Sequence, residues 1–526
     1  MDTQGKGTVD ACAPAQGSLW PQEAIGFDND FYLAEQSEYI LRRAQQNDGK
    51  LYLEFGGKLV FDYHAARVLP GYDPNVKMRL LQRLKDDAEI VLCIYAGHIE
   101  RRKIRADFGI TYDVDAFKLI DDIREWGLDI SAVVITRFEG QPAAEAFRTK
   151  LDRRGVRTFT HRPIRGYPAD VDRIVGPEGY GANDFIQTRK PLVVVTGPGP
   201  NSGKMATCLS QVYHENRLGC KAGYAKFETF PIWNLPLRHP VNVAYEAATA
   251  DIRDFNLIDP FHLDAYGEMS VNYNRDVESF PVLRAILQRI TGSAAAYRSP
   301  TDMGVNRAGF AITNDACVRQ AACQEVIRRY FRYACEYAAG LADRHTVERV
   351  EVLMKELNVT LEDRLVVPAA REAAQAAGSD ADKGNKNVLC GAAIQLPGGS
   401  LVTGVNSPLM HAASSVILNA LKRLAEIPHR LHLLSPNIIQ SVATLKQEVL
   451  GRKTVSLDLE ETLIALSIAS TTNPTAELAM SQLKLLRGCE IHMTHMPTPG
   501  DDTGLRRLGV NLTCDPQFGT SNLFTM

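Results

Sequence analysis

The stretch PLVVVTGPGPNSGKMATCLSQVYHENRLG, residues 191–219, constrains this chain more than any other. A β-branched run bounded by proline and glycine reads as a buried strand, and MATCLSQVYHENRLG reads as a helix that closes near Gly219. A short glycine-rich turn between them forces the helix back along the strand. The same cadence runs from Leu51 to about Phe227: KLYLEFGG, VKMRLLQRLKDDA, EIVLCIYAG, DAFKLIDDIREWG, ISAVVITRF, PAAEAFRTKLDRRG and VRTFTHRP alternate strand-like with amphipathic segments. Repeated βαβ units of this kind predict an α/β fold, a doubly wound and mostly parallel sheet with a phosphate-loop-like strand-loop-helix.

At 526 residues the chain exceeds one core of ordinary size, so several domains are expected. Residues 1–24 read as a mobile tail, 25–310 as the α/β domain with a loop-rich segment from 228 onward, and 311–380 as a helical middle region. After the linker GSDADKGNKN a smaller C-terminal α/β domain spans 388–526. A formal charge of −3 without a basic block argues against nucleic acid as a partner. No run approaches the ~18 apolar residues of a membrane helix, so no membrane role is expected. Ten cysteines without a CxxC pair fit a reducing cytoplasm, and homo-oligomerisation is compatible with everything above.

The turn itself departs from the common phosphate-loop spacing of four residues between the first glycine and Gly-Lys. Gly197 leaves five, Gly199 leaves three, and Met205 stands where Ser or Thr usually meets magnesium. A glycine turn opening a helix still aims unpaired N–H groups and the helix dipole at one point, which suits phosphate. Gly197, Gly199, Ser202, Gly203, Lys204 and Thr207 are the candidate cofactor-binding residues. The bland alternative is a tight turn with a solvated lysine. Downstream, Glu228, Asn234, His239, Asn242, Glu246 and Asp251 are candidates for substrate binding or proton transfer, with Asn272, Asn274, Arg275, Asp302 and Asn306 of lower weight. Each alone reads equally as a turn or cap residue. Glu54 and Lys58 end the first predicted strand, where open α/β sheets bind ligands.

Two near misses argue against zinc. HENRL, from His214, has Leu218 where a zincin needs its second histidine. In GAAIQLPGGSLVTGVNSPLMHAASSVILNALKRL the order hairpin, His411-Ala, helix is similar to cytidine-deaminase-like domains, but Ala413 replaces their glutamate and no PCxxC follows. A packing or assembly role is the expectation there.

The five-residue gap, with Gly197, Gly203 and Lys204, resembles the loop of dethiobiotin-synthetase-like ATP-dependent synthases, and GCKAGYAKF resembles their next strand with its lysine at Lys226. Across nearly the whole chain, IGFDNDFYLAEQSEYI, KLYLEFGGKLVFDYHAARVLPGY, GYAKFETFPIWNLPLRHPVNVAYEAATAD and SPTDMGVN resemble the bacterial uncharacterised protein family 0371. That resemblance implies a cytosolic bacterial protein of several domains and brings no reaction with it. The expected function is a nucleotide-dependent enzyme, ligase- or kinase-like, with ATP and Mg2+ as cofactors. Lys204, Lys226 and Glu228 would be its catalytic groups, acting on a small polar metabolite. The rivals are an enzyme that binds a phosphorylated metabolite without ATP, and a non-catalytic nucleotide-binding regulatory protein. FNLIDPF, with Asp259, is a weak match for the magnesium-binding strand that ATP use calls for.

Overall fold

The computed structural model describes residues 25–46, 49–105, 110–293, 297–385, 387–452 and 454–520; the tail expected at 1–24 lies outside them. The described chain forms two compact units that divide between Ala322 and Cys323.

The first unit is built on six strands: β1 (Leu51–Phe55), β2 (Ala88–Tyr95), β3 (Ile130–Thr136), β4 (Thr158–His161), β5 (Leu192–Thr196) and β6 (Gly223–Phe227). They lie in the order β4-β3-β2-β5-β1-β6, and every pairing is parallel. The burial of all five residues of β5 explains its unbroken LVVVT, since a parallel strand covered on both faces has no polar side. From β2 the chain winds outward to β3, whereas from β5 it winds the other way toward β6. The topological switch point therefore falls between the carboxyl ends of β2 and β5, where such sheets bind ligands.

One face of this sheet is covered by α1 (Lys204–Arg217) and α2 (Asn274–Thr291). Cys208, Leu209 and Val212 of α1, with Phe280, Leu283, Ile286 and Leu287 of α2, pack on Tyr52, Val193, Val195 and Tyr224. Helix α1 stops at Leu218 because Gly219 turns left-handed at φ 89°. Between the two helices the loop-rich segment carries a helix Pro240–Ala248 and a short antiparallel pair, Asn256–Ile258 with Val271–Tyr273.

Helix α3 (Asp315–Ala338) contains the division between the units. The second unit continues through helices Arg344–Glu356 and Val366–Ala376 to a mixed four-stranded sheet. Its strands are β7 (Gly391–Gln395), β8 (Leu401–Val405), β9 (Glu490–Met493) and β10 (Asn511–Cys514), ordered β8-β7-β9-β10; only β9 and β10 are parallel. Helix α4 (Ala412–Leu424) lies so close to β8 that a Cβ on Gly404 would come within 2.3 Å of the Val416 nitrogen. Ala413, in place of a deaminase glutamate, is wholly buried in this core beside Val416 and Ile417. Helices α5 (Leu459–Ser470) and α6 (Pro499–Leu508) complete the unit. No helix among the described residues is long and apolar enough to cross a membrane.

Candidate functional site

The turn after β5 is packed from below on all sides that glycine leaves open. A Cβ on Gly197 would lie 2.5 Å from the Cys93 carbonyl oxygen, one on Gly199 would lie 2.6 Å from the Tyr112 ring, and one on Gly203 would lie 2.8 Å from three atoms of Thr136. Gly203 also has φ 91°, the left-handed region that penalises a side chain. The backbone is tied down as well. Thr136, ending β3, donates its hydroxyl to the Ser202 carbonyl at 2.7 Å, and Arg137, stacked 3.5 Å over the Tyr95 ring, donates to the Asn201 carbonyl at 2.6 Å.

With its carbonyls held downward, the turn is left with unspent donors. The N–H groups of Asn201, Ser202, Gly203, Lys204, Met205 and Ala206 donate to no backbone or side-chain acceptor among the described residues. Gly203 is the N-cap of α1 and offers no capping side chain. The Ser202 hydroxyl, in a residue 1% exposed, has no hydrogen-bond partner either. Lys204 makes no hydrogen bond or ion pair among the described residues, while its charge acts through space on Glu228, Cys93 and Cys208. Thr207 is buried beside Cys93, behind the turn.

Beside the turn, parallel register aligns Glu54, Val195 and Lys226 in one row across β1, β5 and β6. Side chains of one row share a face, so Glu54 and Lys226 project at the top of the face that α1 and α2 cover. The Lys226 ammonium donates to both carboxylate oxygens of Asp276 at 2.7 and 2.9 Å, and to the Tyr273 hydroxyl; Glu228 lies 3.4 Å away. Burial works against this charge, but Asp276, Glu228 and Glu54 outweigh it and hold the ammonium above lysine's ordinary range. Glu228 is pushed up by burial and by Asp276 and Glu54, against the pull of Lys226 and Lys204. Glu54 accepts from the Tyr224 hydroxyl at 2.7 Å, and burial beside that carboxylate raises the phenol.

The structure thus gathers Gly197, Gly199, Ser202, Gly203, Lys204, Glu54, Lys226 and Glu228 at one end of the sheet. Other sequence candidates are spent on the backbone of the loop-rich segment. Asn242 bonds Ile232 N at 2.8 Å and the carbonyls of Ile232 and Pro236, Glu246 accepts from Asn256 N at 3.2 Å, and His239 caps Val241 N while its Nε2 lies 2.8 Å from Asp315. Asn234 is exposed and packs on Gly309, Asp251 is exposed in a 3-10 turn, and the Lys58 carbonyl accepts from Lys77 at 3.0 Å. Asn274 accepts from Phe255 N, Asn306 donates to the Thr229 carbonyl and Asp302 closes a capping box with Ser299. Asp259 caps the helix Pro260–Tyr266 and binds Thr301. Asp276 and Tyr273 belong to the cluster but have no signature in the sequence, because they reach Lys226 from about 50 positions away only once α2 is docked.

A cavity of about 260 Å3 lies between α1 and α2. Met205 and Leu209 of α1 face Val282, Leu283 and Ile286 of α2 across it; Tyr167 and Pro168 close one side, and Arg275, Glu278 and Ser279 rim it. Met205 also packs against the core of that face, so its side chain forms a wall and is no metal ligand.

The chain matches the domain of unknown function DUF1846, with its N-terminal description over residues 25–358 and its C-terminal description over 362–524. It belongs to the DUF1846 family. Similar curated proteins carry the name UPF0371 protein. Those of Clostridioides difficile (strain 630) and Clostridium tetani (strain Massachusetts / E88) are each 54% identical to it, over 500 and 501 residues, covering 95% of this chain and 99% of theirs. A Clostridium botulinum (strain Langeland) relative matches equally, at 54% over 501 residues. The two DUF1846 descriptions meet near residue 360, whereas the compact units part inside α3, which one continuous helix makes part of both.

No group of three or more His, Cys, Asp or Glu side chains suited to a metal occurs among the described residues. His214 Nε2 lies 3.0 Å from the Asn183 carbonyl oxygen, and Leu218 beyond it is exposed. His411 is held 2.7 Å from Asp501, whose carboxylate also takes the Thr498 hydroxyl and the Leu459 N–H.

Proposed function

We propose that this protein is an enzyme that binds the phosphates of a nucleotide on the turn 197–204 and directs them toward a small polar acceptor at the Lys226 cluster. The observation that carries the reading is the run of N–H groups from Asn201 to Ala206 that find no acceptor among the described residues, beside a Lys204 that engages none of them, at the switch point of a parallel sheet. These groups and the orphaned Ser202 hydroxyl would hold phosphate oxygens, and the packed glycines leave the backbone no slack to retreat. Bound ATP with Mg2+ would supply a transferable phosphoryl group. Glu54, on the strand next to β5, would be the carboxylate that orders the ion's waters, since Met205 offers no oxygen. Lys226, clamped by Asp276, and Glu228 would orient the acceptor and take up its proton.

Met205 favours one second reading, in which the turn holds a phosphorylated metabolite without metal. Thermal-shift titration of ATP, GTP, ADP and phosphorylated metabolites, with and without Mg2+, separates the two. A Mg2+-dependent nucleotide shift, followed by turnover, supports the first; a metal-independent metabolite shift supports the second. Met205→Thr should strengthen the Mg2+-dependent shift if the first holds and bring no Mg2+ response if the second does. No shift with any phosphate compound sinks both.

A further inference from the structure

The turn 197–204 has a second neighbour, across β2 and on the side of β5 away from the Lys226 cluster. Strand β3 ends in Thr136, and the next residue, Arg137, takes a left-handed φ of 50°, which residues with a Cβ hold only where the surroundings impose it. Its guanidinium donates to the carbonyl of Asn201, itself left-handed at φ 58°, and lies 3.5 Å over the Tyr95 ring. Tyr95 is fixed beneath it: the ring curls over Gly97, where a Cβ would come within 2.5 Å, and it meets His98 edge-on at 4.9 Å. Arg137 is exposed, so the guanidinium face turned away from Tyr95 meets solvent. A flat cation pinned in this way at the edge of a phosphate turn is a stacking platform for an aromatic ring.

The loop after Arg137 is closed by one side chain. Gln141 donates to the Arg137 carbonyl at 3.4 Å and accepts from the Glu139 N–H at 2.9 Å, while the Phe138 N–H donates to the His161 carbonyl, at the end of β4, at 2.9 Å. Glu139 is exposed, and its carboxylate makes no hydrogen bond or ion pair among the described residues. A carboxylate offers acceptors alone. Of the common bases only guanine sets two donors, N1–H and the 2-amino group, side by side on one edge, and a carboxylate takes both at once. Adenine carries N1 there as an acceptor, which a carboxylate repels. The order along the sheet suits a nucleotide: with its phosphates on the turn and its transferable end toward β1 and β6, the nucleoside is left to the side where β3 ends.

We propose that Arg137 and Glu139 form a nucleobase site that selects guanine: the base stacks on the open face of the Arg137 guanidinium, and the Glu139 carboxylate takes its N1–H and 2-amino donors. This rests on the phosphate-turn reading and sets the base of its nucleotide, so that GTP takes the place given above to ATP. Arg137 joins the two halves of the site, since the group under the base also holds the Asn201 carbonyl out of the phosphate's way.

The test titrates GTP, ATP, inosine triphosphate, xanthosine triphosphate and inorganic tripolyphosphate calorimetrically into the full chain with Mg2+. GTP should bind about tenfold or more tighter than ATP, the discrimination of one bidentate base contact, with inosine triphosphate, which lacks the 2-amino group, between them. Glu139→Gln replaces an acceptor oxygen with a donor amide at an exposed position. It should weaken GTP about tenfold and strengthen xanthosine triphosphate, whose 2-carbonyl accepts, while tripolyphosphate, which has no base, binds as to wild type. Arg137→Ala should weaken GTP several-fold more than it weakens tripolyphosphate. GTP and ATP binding within about threefold of each other, or a Glu139→Gln variant that keeps the wild-type preference, overturns the proposal; if Lys204→Ala weakens both nucleotides in that case, the phosphate-turn reading still stands. A guanine preference that Glu139→Gln removes while Lys204→Ala changes nothing keeps the base site and sinks the reading of the turn. No binding of any of these compounds rejects both.

Discussion

Gly203→Ala is the substitution whose cost the structure defines best. At φ 91° any residue with a Cβ is strained by about 1–2 kcal/mol. The new methyl would also lie 2.8 Å from Cβ, Cγ2 and Oγ1 of Thr136. Thr136 cannot swing aside freely, because its hydroxyl is committed to the Ser202 carbonyl at 2.7 Å and faces that of Ile94 at 3.3 Å. Overpacking at such a site costs about 1–3 kcal/mol. The sum, roughly 2–5 kcal/mol, corresponds to a fall in Tm of roughly 3–8 °C for a unit of this size. Urea unfolding of wild type, Gly203→Ala, Thr136→Gly and the double variant measures it. Part of the loss should be relieved in the double variant, as a coupling energy of about 1–2 kcal/mol. If Gly203→Ala lies within about 0.5 kcal/mol of wild type, or if the two changes are additive, the turn is not braced by β3 and the argument for a rigid cradle fails.

Lys204→Ala should leave the Tm within a degree or two yet weaken the best phosphate ligand tenfold or more, the loss of one charge-assisted contact of about 1.5–3 kcal/mol, read by titration calorimetry. Glu228 binds its proton more tightly folded than unfolded, so its charge subtracts stability as pH rises from the unfolded value near 4.3 through the raised folded one. Glu228→Gln should therefore melt above wild type at pH 8 and match it near pH 4; a lower Tm at pH 8 would reverse the assignment. In the second unit burial works against the Asp515 charge, but His492 and Arg371, the latter 2.8 Å away, outweigh it and bring the carboxyl down to about 2. That group stabilises above its unfolded value near 3.9 and ceases to as pH falls to about 2. Asp515→Asn should cost roughly 1–2 kcal/mol at pH 7, after discounting for solvent screening, with the difference closing below pH 3 in chemical denaturation curves.

The strand, turn and helix of residues 191–219 were legible because β-branched runs, glycines and helical periodicity are local signals. Glu54 was legible by position, at a strand end, and Lys226 through the resemblance of GCKAGYAKF to the lysine-bearing strand of dethiobiotin-synthetase-like synthases. The insertion of β5 between β1 and β2 was not, since nothing in LVVVT says which strands flank it. Asp276 carries no mark distinguishing it from other acidic residues in the first turn of a helix. Polar residues of the 228–256 segment looked alike in sequence, yet a loop-rich stretch buried as deeply as Asn242 must satisfy its own backbone first, and Asn242 and Glu246 do so. Met205 looked like a missing metal ligand; its role as an apolar wall depends on α2, some 75 residues downstream.

The position of β5 has a consequence for synthesis on the ribosome. Strand β1 has two neighbours, β5 and β6, and both lie far downstream: Leu51 first meets Leu192, then Gly223. Until those residues emerge, β1 has no partner strand and β2 offers an open edge beside its pairing with β3. Contacts of such long sequence separation make folding slow, and the nascent chain carries an apolar LYLEF segment with nothing to pair with for most of the first unit's translation. A chain stalled or cut before residue 190 would therefore be prone to aggregate, and holdase chaperones would be expected to engage it at β1.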